Sequence, residues 1–229
     1  MIVLGIDTST WWASVGVVDD TRVLAAAVER ANGSHTLGLL PLVQRTLAAA
    51  TVAVRDVAAV AVTRGPGAFT GLRVGLSTAK GLAYATGARL VAVPTLEALA
   101  RTVEDYDGPV VPLLDARRGE FYCARFEVGR DGSCERVADD RLASLDEVLA
   151  GLPPQCVIVG DAEVTYGAAL RAHVGPGVDV RPFAAGAGTG VVVARLGEER
   201  LRRGESDEIM FVEPDYQRLS EAEMNAVSA

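Results

Sequence analysis

The chain has 229 residues, of which 49% are apolar, and a formal net charge of −8 at pH 7. The apolar content excludes a largely disordered protein, and the length suits one large domain or two small lobes. No apolar run reaches the ~18 residues that a membrane span needs. The negative charge disfavours direct binding of the whole protein to a nucleic-acid backbone.

The N-terminal residues and the cysteines predict a cytosolic protein without a metal centre. Met1–Asp7 has neither the basic region nor the cleavage site of a signal peptide. Cysteine occurs at positions 123, 134 and 156, an odd number without CxxC spacing. This pattern predicts neither a disulfide framework nor a zinc site.

Closely spaced strands are predicted first, followed by alternating helices and strands. Residues 2–7 form an apolar run that ends in Asp7, as in a buried strand. Two further strands flank the turn signal Asp19-Asp20, which predicts a meander. The elements predicted here are strands at 2–7, 13–19 and 22–30, a helix through Leu37–Ala50, a strand at 57–63, a helix at about 70–86, a strand at 89–93 and a helix at 96–104.

A second lobe is predicted to begin at the turn signal Tyr106-Asp107-Gly108-Pro109. The predicted domains are therefore 1–106, 107–219 and a disordered tail at 220–229. Strands precede helices in both halves, which indicates duplicated α/β lobes. The elements predicted after the boundary are strands at 110–115 and 120–128, a helix at 145–151, a strand at 157–160, and helices near 162–172 and 188–203.

Two turns have some features of phosphate loops. Asp7-Thr8-Ser9-Thr10 offers hydroxyl and backbone donors at a strand end, although the bulky Trp11-Trp12 follow at once. The alternative is an Asx or Ser turn that ends the strand. Glycines at 65 and 67 permit close backbone approach before a helix, but the GxxxxGK[ST] pattern is absent. The sequence predicts at most a vestigial phosphate loop at Asp7, Thr8, Ser9, Gly65 and Gly67.

The helix after the second turn has a wide apolar face. Apolar or small residues cover roughly two-thirds of its circumference, and the polar stripe is Arg73, Ser77, Lys80 and Tyr84. A face this wide should be covered on two sides. The sheet of its own lobe covers one side, and either a neighbouring element or a partner chain covers the other. A partner chain would contact an interface formed by Phe69, Gly71, Leu72, Gly75, Leu76, Thr78, Ala79 and Leu82.

Candidate catalytic groups are few. His35 and His173 are the only histidines, and no GxSxG accompanies them, so surface or capping roles are predicted. Asp115 ends a strand before Arg117-Arg118. It could hold a metal–phosphate, or its hairpin could be solvated or contact a partner. We predict no catalytic residue and no metal site.

The string Gly65-Pro66-Gly67-Ala68-Phe69-Thr70-Gly71-Leu72-Arg73-Val74-Gly75 is highly specific. The chain resembles the bacterial TsaB family, also called YeaZ, in this string and in Ile2–Ser9, Ala79–Ala83, Val93–Leu96, Leu114–Arg117 and Glu120–Tyr122. The resemblance covers about residues 1–130 well and continues weakly to Pro214–Arg218.

This resemblance implies a two-lobed actin/hexokinase/Hsp70-like (ASKHA) fold. It also implies a non-catalytic scaffold subunit that activates a TsaD-type transferase in making N6-threonylcarbamoyladenosine (t6A) at adenosine 37 of tRNA. A TsaE-type ATPase and a second copy of the chain are the further partners implied, and tRNA is contacted indirectly. No intrinsic cofactor is implied, because ATP or ADP would bind only within the complex. Two alternatives stay open, a nucleotide-dependent ATPase or kinase of the same fold and a peptidase.

Overall fold

The computed structural model describes residues 1–20, 22–30, 35–183 and 188–217. The disordered tail predicted at 220–229 and the predicted role of the His35 side chain lie outside this description. Within it, no helix is long and apolar enough to cross a membrane.

Strands and helices alternate along the described chain in two similar series. The first series is β1 (Ile2–Asp7), β2 (Trp12–Asp19), β3 (Arg22–Arg30), α1 (His35–Ala49), a 3₁₀ turn (Val54–Asp56), β4 (Ala59–Gly65), α2 (Phe69–Thr86), β5 (Arg89–Pro94) and α3 (Thr95–Ala100). The second series is β6 (Gly108–Asp115), β7 (Glu120–Val128), β8 (Cys134–Ser144), α4 (Leu145–Ala150), β9 (Cys156–Val159), α5 (Ala162–His173), β10 (Val178–Val180) and α6 (Thr189–Arg202).

The two series form two five-stranded mixed sheets of the same topology. The first sheet has the order β3-β2-β1-β4-β5, and the second has the matching order β8-β7-β6-β9-β10. In each sheet the first three strands are antiparallel, and the last two join in parallel. The prediction of duplicated lobes is therefore confirmed in strand order and direction.

The first sheet is buried on both faces, which explains the continuous apolar runs of its central strands. Leu4 and Ile6 of β1 face the core beneath α1 and α2, whereas Val3 faces α6. The contact with α6 is close, since a Cβ on Gly16 would lie 2.5 Å from the Val191 nitrogen. Glycine at this position lets the helix backbone approach β2.

The two lobes exchange helices. α3 follows the first sheet in the chain but places Leu96 and Leu99 in the core of the second lobe. α6 follows the second sheet but packs Val193 and Ala194 into the first lobe. The segment 107–219, predicted as the second lobe, thus includes a helix that belongs to the first lobe by its packing.

Residues 205–217, here called the C-terminal strap, return to the first lobe after α6. The Asp207 carboxylate accepts a hydrogen bond from the Ala92 nitrogen at 2.8 Å. Val212 is buried in the core beneath α1 and α2. Near the end of the strap, the Asp215 nitrogen donates to the Arg64 carbonyl at 2.7 Å. The strap therefore runs from the edge strand β5 to the turn before α2.

Two strands were missing from the sequence prediction, β8 and β10. β8 lies at the edge of the second sheet, and most of its residues are exposed or half-buried. Its charges interrupt the apolar alternation on which strand prediction depends. β10 has three residues and is too short to show a period.

Candidate functional site

The first predicted phosphate turn is buried and hydrogen-bonded within itself. Asp7 Oδ1 accepts hydrogen bonds from the Ser9 nitrogen at 2.9 Å, from Ser9 Oγ at 2.6 Å and from Thr63 Oγ1 at 2.9 Å. Each residue of Asp7–Thr10 is at most 2% exposed. The bond from residue i+2 is that of an Asx turn, the structural alternative for this sequence.

The second predicted phosphate turn packs against the first. The Ala68 nitrogen donates to the Ser9 carbonyl at 2.7 Å, and Thr8 Oγ1 donates to the Gly71 carbonyl at 2.8 Å. A Cβ on Gly67 would lie 2.5 Å from the same Ser9 oxygen. The glycines thus allow close contact between two turns of one lobe, and a phosphate at this place would have to displace these hydrogen bonds.

Three carboxylates lie at the carboxyl ends of strands from both lobes. Asp7 ends β1, Asp115 ends the equivalent strand β6, and Asp161 follows β9. The Asp115 nitrogen donates to Asp161 Oδ1 at 3.0 Å. Burial, reinforced by the charges of Asp115 and Asp7, raises the pKa of Asp161 to about 7. We call these three residues the interlobe carboxylates.

Asp161 was not singled out from the sequence. Its signal is the apolar strand that it follows after a single glycine, the same context that drew attention to Asp7 and Asp115. Within the described residues, no cluster of three or more His, Cys, Asp or Glu side chains could hold a metal ion. His173 is placed at the end of α5, where its Nδ1 lies 2.7 Å from the Ala169 carbonyl oxygen.

Beside the interlobe carboxylates, an aromatic ring of the first lobe meets a guanidinium of the second. Arg117 Cζ lies 4.0 Å from the centroid of the Trp11 ring. Trp11 belongs to the β1–β2 turn and Arg117 to the β6–β7 turn. The sequence drew attention to both residues separately, but only the packing of the lobes brings them together.

Much of the predicted interface on α2 lies inside the lobe. Gly75 faces the lobe interior, since a Cβ there would lie 2.2 Å from Thr8 Oγ1. The wide apolar surface of α2 is covered by the first sheet and by α1 of the same chain. Five of the eight predicted interface residues are therefore buried within their own lobe, namely Gly71, Leu72, Gly75, Leu76 and Ala79.

The exposed face of α2 carries Arg73, Ser77 and Tyr84 of the predicted polar stripe, and not the predicted interface. Tyr84 is 82% exposed, and the other exposed positions on this face are Thr70, Arg73, Ser77, Gly81 and Ala85. Of the predicted residues, Thr78, Leu82 and Phe69 are half-buried. The Phe69 ring is covered by Tyr216 of the strap, with centroids 4.8 Å apart, and Arg73 Nε donates to the Tyr216 hydroxyl at 2.8 Å.

Comparison with known proteins assigns the family. A family model described as "TsaD: tRNA N6-adenosine threonylcarbamoyltransferase" matches residues 28–174. The "tRNA threonylcarbamoyladenosine biosynthesis protein TsaB" of Bacillus subtilis is 29% identical over 226 residues, which are 97% of this chain and 96% of that protein. The chain belongs to the TsaD-related family, in its TsaB (YeaZ) branch. The TsaB protein of Escherichia coli is 37% identical over 134 residues, which are 58% of each chain.

Solved structures agree with this membership and identify the fold. YeaZ from Pseudomonas aeruginosa superposes with a TM-score of 0.78 at 27% identity, over 94% of this chain and 99% of that one. An activator of 2-hydroxyisocaproyl-CoA dehydratase from Clostridium difficile shares the fold alone, with a TM-score of 0.55 at 10% identity over 91% of this chain and 99% of that one. This TsaB-family chain has the two-lobed actin/hexokinase/Hsp70-like (ASKHA) fold.

Proposed function

We propose that this TsaB-family chain acts in t6A biosynthesis as a non-catalytic subunit that binds and activates a TsaD-type transferase. The relatives that carry the name TsaB are described as tRNA threonylcarbamoyladenosine biosynthesis proteins. The observation that carries the non-catalytic role is the packing of the two phosphate-loop-like turns against each other. Hydrogen-bond donors of these turns are used within the protein, because Ala68 donates to Ser9, and Ser9 donates to Asp7.

Partner binding is assigned to the joint outer face of α1 and α2. Leu40 and Pro41 are exposed on α1, and Tyr84 and Ala85 are exposed on α2. The exposed positions of α2 include no acidic residue and are mostly small or apolar, with Arg73 as a charged member. An outer face with few charges on two packed helices suits association with helices of another chain.

The same proposal covers the other components of the complex. A TsaE-type ATPase binds the assembly, and a second copy of this chain occupies the outer face when the transferase is absent. ATP or ADP binds within the complex and not to this chain alone. The net charge of −8 favours indirect contact with tRNA, because a protein surface of the same sign repels the phosphate backbone.

Reconstitution of the modification reaction tests this function. The transferase, the ATPase, tRNA and the threonylcarbamoyl donor are combined with and without this chain, and t6A is measured by mass spectrometry of nucleosides. We expect t6A only when the chain is present. Transfer by the chain alone would contradict the non-catalytic role, as would full activity in its absence.

Two further assays separate the alternatives. Calorimetry with ATP and a phosphate-release assay on the isolated chain are expected to give neither micromolar binding nor turnover. Binding with turnover would instead support an ATPase or kinase. Hydrolysis of peptide substrates is also expected to be absent, and hydrolysis that disappears after replacement of both histidines would support a peptidase.

A further inference from the structure

Two exposed side chains join the lobes beside the interlobe carboxylates. Trp11 follows the buried turn Asp7–Thr10 and is 45% exposed. The Arg117 side chain is 55% exposed and projects from the turn between β6 and β7. The guanidinium carbon lies 4.0 Å from the indole centroid, well inside the ~6 Å range of a cation–π contact.

The second lobe holds Arg117 in position through a chain of hydrogen bonds. The Arg117 nitrogen donates to Asp115 Oδ1 at 2.8 Å, and Arg117 Nη1 lies 3.9 Å from Asp115 Oδ2. The Asp115 side chain is only 6% exposed. Asp115 in turn donates its backbone N–H to Asp161 Oδ1 at 3.0 Å. The two buried carboxylates thus fix both the backbone and the direction of the guanidinium.

The backbone of this turn adopts an uncommon conformation. Arg117 and Arg118 have φ values of +69° and +57°, and Gly119 follows at +77°. Arginine seldom adopts positive φ, and such residues persist where the surroundings determine them. The turn is closed by two backbone bonds, from Glu120 to Arg117 at 3.1 Å and from Ala116 to Glu120 at 2.9 Å. Arg117 is therefore preorganised for its contact with Trp11.

The neighbouring tryptophan provides an internal comparison. Trp12 begins β2, and its cation–π partner Arg30 lies in the paired strand β3, with the guanidinium carbon 6.0 Å from the ring. That contact joins two strands of one sheet. Among the described cation–π contacts, the Trp11 pair is the one that joins the two sheets.

We propose that Trp11 and Arg117 form a latch that holds the two lobes together beside the interlobe carboxylates, and that its release lets the lobes separate there. Both side chains remain in contact with water, so the latch can open and close without burying a new charge. The buried turn before Trp11 and the carboxylates behind Arg117 keep each half of the latch in place when the lobes separate. This latch does not depend on the transferase-binding function.

Hydrogen–deuterium exchange of the full chain tests the latch. The variants are Trp11→Ala, Arg117→Asn and the double variant, with asparagine chosen because it tolerates positive φ better than most residues. Arg30→Gln is the matched control, since it removes a cation–π contact within one lobe. We expect the amides of residues 7–12 and 115–121 to exchange about fivefold faster in either single variant, as expected for loss of a half-exposed cation–π contact.

The double variant distinguishes a latch from two independent turns. If the two side chains act together, the double variant exchanges no faster than either single variant, because the same contact is lost in all three. Arg30→Gln should change exchange only near β2 and β3. Faster exchange confined to the turn that carries each substitution would overturn the proposal, and so would additive effects in the double variant.

Discussion

The surroundings of individual residues in this chain are set by residues that are distant in the sequence. Gly75 and Gly81 are both in α2, yet their surroundings differ. A Cβ on Gly75 would lie 2.2 Å from Thr8 Oγ1, whereas a Cβ on Gly81 would meet nothing within 4 Å. Thr8 cannot move easily, because its hydroxyl donates to the Gly71 carbonyl.

Alanine substitutions should therefore have opposite effects at these two glycines. Gly75→Ala is expected to destabilise the chain by about 1–3 kcal/mol, since Thr8 must shift and lose its hydrogen bond. Gly81→Ala is expected to stabilise it by about 0.5–1 kcal/mol through higher helix propensity. Urea denaturation followed by circular dichroism measures both. Equal effects would mean that the contact between Thr8 and α2 is absent in solution.

Asp161 should make the stability of the chain depend on pH. Burial raises its pKa from an ordinary 3.8 to about 7, so the native state keeps a proton that the unfolded state releases. The free energy of unfolding therefore falls as pH rises through this window, by about 2–3 kcal/mol between pH 5 and pH 8. Asp161→Asn keeps the acceptor for the Asp115 nitrogen and should remove this part of the pH dependence.

The comparison of the two proteins by urea denaturation at pH 5, 6, 7 and 8 isolates the carboxylate from other titrating groups. The stability difference in favour of Asp161→Asn should grow with pH. A constant difference would show that Asp161 is ionised throughout in the native state.

At the scale of elements, α2 is both a core helix and the main candidate for partner binding. Its inner face is buried against the first sheet and α1, and its first turn is covered by Tyr216 of the strap. The exposed remainder carries Tyr84 in the last turn of the helix, where it is 82% exposed. Substitutions on the two faces should therefore separate folding from association.

Tyr84→Glu should weaken binding to the transferase without unfolding the chain. A carboxylate in the middle of an apolar contact is desolvated without a partner, and we expect at least a tenfold loss of affinity by calorimetry. Val164→Glu is the matched control, because Val164 is 63% exposed on α5 of the second lobe. Unchanged affinity for the Tyr84 variant would place the interface elsewhere, and a lowered melting temperature would indicate a structural role.

For the whole molecule, the exchange of helices ties the two lobes into one folding unit. The face of the first sheet that carries Val3, Ala59 and Val91 is covered by α6, which comes from the far end of the chain. The first lobe is thus incomplete until residue 202 has been added. The residues that pack into the first lobe are therefore not one continuous stretch of the sequence.

Two shortened forms of the first lobe test this conclusion. Residues 1–94 alone should aggregate, because the sheet face under α6 is exposed. The same segment joined by a glycine–serine linker to residues 188–217 should be monomeric or dimeric and unfold cooperatively by circular dichroism. Cooperative unfolding of residues 1–94 alone would contradict the role assigned to α6.

Much of the fold was predictable because its signals are local. The apolar run of β1 and the periodicity of α2 and α6 identify these elements within a few residues. The strap was not predicted, since its acidic composition resembles that of a frayed terminus. Its order depends on contacts with β5 and α2, such as the bond between Asp207 and Ala92. β10 was missed because three residues show no period.

The sequence by itself determined the family and the duplicated α/β lobes, because motifs and periodicities are carried by neighbouring residues. Only the tertiary structure decided which face of α2 is free, since α1 covers the apolar side that the sequence left open between a neighbour and a partner. It also decided that the two phosphate-loop-like turns pack against each other, and that Trp11 contacts Arg117. These contacts join residues more than 50 positions apart, and no local pattern encodes such distances.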